Sequence, residues 1–212
     1  MTTAIIGIGN IGTRVVTNLV RGGEKVIAAD RTLDRAEQLA SELGSNVTVM
    51  PVAQAIQQAD VIILAIYFDA EQQLIAEYAA ALDGKIVVDP SNPIGPDGKG
   101  GFNKIIPADQ SSGQIIAALL PAGARFVKAF GTLTAKSLGE AAWRAPDLAA
   151  LFYATDDQDA GDVVAKLIEA SGYAPVPIGG ADQSIRIEVG GDLHEVGGLG
   201  KPVSAQEAAA KI

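Results

Sequence analysis

Short apolar runs alternate along this chain with stretches in which apolar residues recur at three- and four-residue spacing. The first two runs, TAIIGI (3–8) and KVIAAD (25–30), flank Thr13–Arg21, where Val15, Val16, Leu19 and Val20 share one helical stripe that Gly22-Gly23 can end. After KVIAAD, Thr32 is placed to cap a helix carrying Leu33, Ala36, Leu39, Ala40 and Leu43, with Gly44 at its end. The strand NVTVM (46–50), a helix from Pro51, the strand DVIILAI (60–66), a helix over about 70–82 and the strand KIVVD (85–89) continue the rhythm. Strands without alternation of apolar and polar residues are buried on both faces, as in a parallel sheet covered by helices. The β-α-β-α order over 3–89 predicts an α/β protein with a doubly wound parallel sheet.

The stretch 90–113, rich in proline, glycine and polar residues, breaks the rhythm and reads as a long loop, a type that is often functional. Ser111 or Ser112 can cap the next helix, GQIIAALLP, and the strand RFVKAF (125–130) follows. Beyond Gly131 come the strand ALFYATD, a helix over Ala160–Ser171 and the strand APVPIG. The stretch SIRIEV (184–189) alternates with period two and predicts a strand, ahead of a glycine-rich tail. Residues 1–135 form the main domain in this reading, and 136–212 a smaller C-terminal flanking region.

Composition narrows the partners. At 212 residues, 48% apolar and 19% charged, the chain has ample material for a core. A net charge of −9 disfavours a nucleic-acid backbone or an anionic membrane. Without cysteine there are no disulfides, thiolate nucleophiles or sulfur-ligated metals, and a single histidine makes a metal site unexpected. No run has the length of a membrane span, and the first strand starts within a few residues of Met1. Neither a membrane segment nor a signal peptide is expected, which points to the cytoplasm.

Candidate chemistry begins at Gly7, Gly9 and Gly12, a G-x-G-x-x-G set between a strand and a helix. The first glycine permits the tight turn, the second lets the backbone approach a pyrophosphate, and the third lets helix and strand pack closely. The free N–H groups and dipole at the helix start then hold the phosphates. With Asp30 at the tip of the second strand, this is the pattern of a Rossmann-type dinucleotide-binding domain. Asp30-Arg31-Thr32 leaves NADP and NAD both open. The carboxylate favours a ribose 2′-OH, whereas Arg31 can pair with a 2′-phosphate.

Ligands on such sheets lie beyond the carboxyl ends of the strands, at the point where strand order reverses. That rule nominates the loops at 65–70, 89–94 and 128–135. Tyr67 and Phe68 offer flat faces, and Asn92 an amide able to read a carboxamide. Phe130-Gly131-Thr132 combines a bulky wall with a glycine that clears space. His194, the one histidine, is either a proton relay or a surface or interface side chain. No G-x-S-x-G supports a serine nucleophile. Arg186 and Glu188, on one face of the expected strand, either pair or leave Arg186 to hold an anionic group.

The ordered set IGIGNIGTRV, VIILAIYFDA, IVVDPSNPI, GKGGF, SSGQIIAALLP and FVKAFGTLTA resembles the NADP oxidoreductases that use a reduced 5-deazaflavin, coenzyme F-420. It is similar also to the related cytosolic dinucleotide domain of ferric reductases. The resemblance extends to about residue 190. It implies a Rossmann domain with a small C-terminal part, commonly a dimer, and hydride transfer between NADPH and a second planar redox cofactor. It places the pyrophosphate on Gly9, Asn10, Ile11 and Gly12, and the adenosine ribose near Asp30, Arg31 and Thr32. The nicotinamide falls among Ile66, Tyr67, Asn92, Pro93, Ala129, Phe130, Gly131 and Thr132. Two positions depart from the family: Asp30-Arg31-Thr32 stands where it has Ser-Arg-Arg or similar, and Gly131 where the deazaflavin enzymes carry a histidine.

Hydride transfer between two bound rings needs alignment more than acid–base groups, which suits a chain poor in histidine and cysteine. The expected function is an NAD(P)-dependent oxidoreductase using NADP, with NAD open, and a deazaflavin or flavin as second redox cofactor. No side chain is assigned as catalytic. The alternatives are a non-enzymatic NAD(P)H-binding redox sensor and an imine or carbonyl reductase, for which Tyr67 is the candidate proton donor. In the tail, residues 179–212, Ile185, Ile187 and Val189 present an apolar face that needs cover, either from the flank of the same domain or from a second subunit. A homodimer is expected in which the tail helps enclose the nicotinamide end of the site.

Overall fold

The computed structural model describes residues 1–99 and 101–212; Gly100, within the GKGGF motif, lies outside the described residues. Its strands are β1 (Thr3–Ile6), β2 (Val26–Ala29), β3 (Val47–Val49), β4 (Val61–Leu64), β5 (Ile86–Asp89), β6 (Ile94–Pro96), β7 (Phe102–Lys104), β8 (Arg125–Lys128), β9 (Ala150–Tyr153) and β10 (Ala174–Pro177). Helices α1 (Asn10–Arg21), α2 (Asp34–Leu43), α3 (Val52–Gln58), α4 (Phe68–Leu82), α5 (Ser112–Leu119), α6 (Ala135–Glu140), α7 (Gln158–Ala170), α8 (Ser184–Ile187) and α9 (Ala205–Ala209) complete the fold.

Six strands form one parallel sheet in the order β3-β2-β1-β4-β5-β8. The order reverses at β1 and β4, which places a crevice there at the carboxyl ends. The unbroken apolar runs are explained by the two cores. Ile5, Val61, Ile63, Ile86 and Val88 face one layer with Val15, Val16 and Leu19 of α1, Leu138 of α6 and Val164 and Ile168 of α7. Ile6, Ile62, Leu64 and Val87 face the other, against Ile56 of α3, Ile75 of α4 and Ile116 of α5. Strand side chains alternate between faces, and both faces are dry.

Strands β9 and β10 pair with each other in parallel. The end of β9 joins the end of β8 through reciprocal Lys128–Ala154 bonds of 2.9 and 3.0 Å. A third apolar cluster, including Phe152, Val176, Ile187, Leu193 and Val203, binds the tail to this pair.

Several local expectations change. The first four residues of SIRIEV are helical: a 3-10 turn over Ala181–Gln183 leads into α8, which ends at Ile187 before an extended Glu188. Asp156 Oδ1 accepts the Ala181 N–H at 3.2 Å at its start, and Ala181, Ser184 and Ile187 are buried at three-residue spacing. The period-two pattern was real in composition, but tertiary cover selects the helical one. Arg186 pairs with Asp192 at 2.9 Å, so it neither bonds Glu188 nor stands free. Helix α1 begins at Asn10, three residues before the expected start, and α2 begins at Asp34 after Leu33 with no Thr32 cap. The loop 90–113 contains the antiparallel hairpin β6–β7, whose turn Asp97 closes by accepting the Lys99 and Gly101 N–H groups at 2.7 and 2.8 Å.

Candidate functional site

At the crevice, Gly7 takes φ +95°, and a Cβ there would stand 2.5 Å from Ala65 O and Ile66 Cγ2. A Cβ on Gly12 would run into the Gly7 carbonyl oxygen. These two glycines therefore bring the turn, the start of α1 and the loop after β4 into contact. Gly9 differs: a Cβ there would meet nothing within 4 Å, so that side of the backbone is open. The first helical bond of α1 runs from Thr13 N–H to Gly9 O at 3.0 Å, and no side chain caps the helix. The N–H groups of Asn10, Ile11 and Gly12 precede it, an arrangement that attracts anions.

Asp30 is committed to this turn. Its Oδ2 accepts the Ile8 N–H at 3.1 Å and its Oδ1 the Arg31 N–H at 2.6 Å. A groove of about 290 Å³ lies alongside, lined by Ile8, Gly9, Asn10, Thr13, Arg14 and Arg35. Through Asn10 and Arg14 it meets a second groove of about 430 Å³ that reaches Lys136 and Glu140 of α6. Arg14 and Arg35 did not stand out in the sequence. Only the start of α1 at Asn10 and of α2 at Asp34 turns both toward the glycines.

The second group of candidates meets between β5, β8 and the tail. Asn92 Nδ2 donates to Gly131 O at 3.0 Å, and Asn92 Oδ1 accepts the Val189 N–H at 2.6 Å. The amide expected to read a carboxamide thus uses one N–H and one oxygen lone pair to tie the tail to the 131 loop. His194 accepts the Val196 N–H on Nδ1 at 2.8 Å, so Nε2 carries the proton toward Gly131 O at 3.0 Å. Burial lowers the pKa of this imidazole more than the Gly131 carbonyl and Glu195 raise it, which keeps it neutral. Glu195 itself accepts the Thr134 N–H at 2.7 Å and the Ser137 hydroxyl. Gly131 makes room for backbone rather than for a ligand: a Cβ would fall 2.6 Å from Pro90 O. Phe130, expected as a wall, is wholly buried in the core, with a left-handed φ of 64° that is strained for a bulky residue. Ala129 and Thr132 are also buried, and Pro93 accepts the Ile105 N–H through its carbonyl.

Among the remaining candidates, Tyr67 is 76% exposed at the start of α4, while Phe68 is buried. Ile66 is half-buried against Gly7, and Arg31 and Thr32 are exposed beyond β2. All sit at the carboxyl edge of the sheet.

Beneath the loop 89–93 is a buried polar cluster that the sequence did not reveal. Lys128 Nζ donates to Asp89 Oδ2 at 2.6 Å, to Ser91 O at 2.7 Å and to Ser112 Oγ at 3.3 Å. Glu188 accepts from the Ser111 hydroxyl at 2.6 Å and from the Gly113 and Ser112 N–H groups at 2.9 and 3.2 Å. Burial pushes the Glu188 pKa up, but the Lys128 charge and those hydrogen bonds outweigh it and hold the carboxyl below its usual value. Glu71 is the opposite case. Burial, and then the neighbouring Asp89 charge, push its pKa well up.

Among the described residues, no group of three or more His, Cys, Asp or Glu is placed to hold a metal ion. No helix there is long and apolar enough to cross a membrane.

A parallel sheet of this order, with an uncapped glycine turn at its switch point, defines a Rossmann-type α/β protein. Residues 2–93 match the family model described as NADP oxidoreductase, coenzyme F420-dependent, and the chain belongs to this family of NADP oxidoreductases. No curated protein matches it. Among solved structures, a hypothetical protein from Sinorhizobium meliloti is 30% identical, with TM-score 0.81 over 92% of this chain and 93% of that one. A proposed F420-dependent NADP-reductase from Arthrobacter sp. FB24 is 24% identical, with TM-score 0.74 over 87% of each chain. A reductive aminase from Aspergillus terreus, in complex with NADPH and ethyl-5-oxohexanoate, is 20% identical, with TM-score 0.60 over 87% of this chain and 57% of that one. At those last two identities the likeness is one of fold.

Proposed function

We propose that the chain binds NADP(H) along the glycine turn and transfers a hydride between its nicotinamide and a second planar redox ring of flavin or deazaflavin type. The observation that carries this reading is the open backbone at Gly9 beside the uncapped start of α1. Gly9, Asn10, Ile11 and Gly12 hold the pyrophosphate in this proposal. Arg31 and Arg35 take the 2′-phosphate, because the Asp30 oxygens already serve the Ile8 and Arg31 N–H groups. The nicotinamide lies beside Ile66 and Tyr67 and against the backbone of 92–93 and 129–132. The dinucleotide supplies the hydride; the chain supplies alignment and a wall that excludes water.

The test is NADPH oxidation against a panel of acceptors in separate reactions: a deazaflavin, free flavins, a quinone, ferric chelates, a cyclic imine and a ketone. Turnover with a deazaflavin or flavin alone is the expected result. Turnover only with the imine or ketone transfers the site to C=N or C=O reduction, and binding without any turnover leaves a redox sensor. We propose a cytoplasmic homodimer as the working state, measured as mass in solution. The exposed Phe102 and Ile105 of the β6–β7 hairpin are its candidate contacts. Of the tail face Ile185, Ile187 and Val189, Ile187 is covered by the chain's own β9 and β10, and the other two are half-buried.

A further inference from the structure

The hydride transfer proposed above leaves one buried ionisable group without a task. Glu71, on the first turn of α4, is completely buried, and neither carboxyl oxygen has a hydrogen-bond partner. It lies beside Asp89 and Ser91. The Ser91 hydroxyl is likewise buried and unpartnered, and it belongs to the loop that leads directly into Asn92 and Pro93. The charged groups facing Glu71 are Asp89 from β5 and Lys128 from β8, and the Lys128 charge acts also on Glu188 and His194 of the tail. Helices α3 and α5, which pack on α4, carry no charged residue. One ammonium thus serves three carboxyl groups. Lys128 bonds Asp89 directly and acts on Glu188 through its charge, while the only hydroxyl beside Glu71 is that of Ser91, which no other group engages. An ionised carboxylate left in that position is strongly disfavoured, and the neutral acid is the form that fits.

We propose that Glu71 stores the proton that accompanies hydride transfer and delivers it to the acceptor through the Ser91 hydroxyl. This rests on the reading of the 89–93 loop as the wall of the nicotinamide site. The balance is as follows. A C4–H bond of the dihydronicotinamide breaks with its electron pair, and the hydride bonds to the acceptor ring, which is reduced. Ser91 gives its hydroxyl proton to the ring atom that has gained negative charge, and Glu71 replaces that proton on Ser91. The dinucleotide ring gains a positive charge as Glu71 becomes a carboxylate, so each new charge offsets the other. Glu71 recovers a proton from solvent when the oxidised dinucleotide leaves. Over the cycle one solvent proton and one hydride pass to the acceptor.

Calorimetric titration with NADP+ and with NADPH, at neutral pH in buffers of different ionisation enthalpy, counts the protons released on binding. Both dinucleotides carry the same phosphates, so their difference reports the ring charge. The wild-type protein is expected to release more protons with NADP+ than with NADPH, and Glu71→Gln, which keeps the shape of the neutral acid, to abolish the difference while still binding NADPH. Infrared difference spectra of the wild-type protein give the same answer without a variant: a carboxylic-acid band lost on adding NADP+ and retained with NADPH. Equal proton release for the two dinucleotides, or a difference that survives Glu71→Gln, overturns the proposal. Absence of binding by both dinucleotides overturns the functional reading beneath it instead.

Discussion

Asp30 shows how one side chain changes meaning between sequence and structure. At a strand tip it reads as a ribose ligand that favours NAD, yet both its oxygens are bonded to the backbone of the turns it joins. Its charge is shared with two N–H groups, so in the proposed site selectivity would pass to the cations nearby. Arg35 lines the groove beside Gly9 and is found in no ion pair among the described residues. Replacing it by Ala should weaken NADPH about tenfold and leave NADH unchanged, as a single exposed charge-assisted contact would. Fluorescence titration of the variant with both dinucleotides checks this, and equal losses for the two would place Arg35 away from the 2′-phosphate. Gly131 carries the same lesson. Its smallness fits the Pro90 carbonyl, a reason that no reading of the neighbouring sequence could supply.

At the scale of elements, α7 illustrates how ends are fixed. Asp157 caps it by accepting the Ala160 N–H at 3.0 Å, and Arg125 of β8 clamps the same carboxylate at 2.6 and 2.7 Å. The Arg125 hydrogen bond, then the cap, hold the Asp157 pKa well below the usual carboxylate range. A depressed carboxyl adds stability that is present above its unfolded pKa, about 3.9, and is lost as pH falls through the folded value. With the two side chains 33% and 37% exposed, the pair is worth about 1 kcal/mol or less. Arg125→Ala should therefore lower the thermal midpoint by a few degrees at pH 6 and by less below pH 3. A midpoint difference independent of pH would contradict this. The central strands and most helices were legible because their apolar spacing admits one reading. Residues 184–189 were not, since Ile185, Ile187 and Val189 satisfy a period of two until Asp156 starts a helical turn. The Glu71–Asp89–Lys128–Glu188 cluster was equally hidden. Its members come from four segments, and nothing local marks a charged residue as buried.

Across the whole molecule, the C-terminal region packs back onto the loops at the carboxyl edge of the sheet. Glu188 seats on the start of α5, Val189 on Asn92, His194 on Gly131, and Leu193 among Phe152 and Val203. These contacts hold the 89–93 and 129–134 loops at the same sheet edge as the glycine turn, so a dinucleotide lying across that edge would meet both. The glycine turn itself offers a direct test. A Cβ at Gly9 would meet no protein atom within 4 Å, so Gly9→Val should fold with a nearly unchanged thermal midpoint and yet fill the space a pyrophosphate needs. The decisive measurement is NADPH fluorescence titration of the wild-type protein and Gly9→Val side by side. Saturable binding of one NADPH per chain, weakened at least tenfold in the folded variant, is the predicted result. No saturable binding by the wild-type protein, or equal affinity in the two, would contradict dinucleotide binding on this turn.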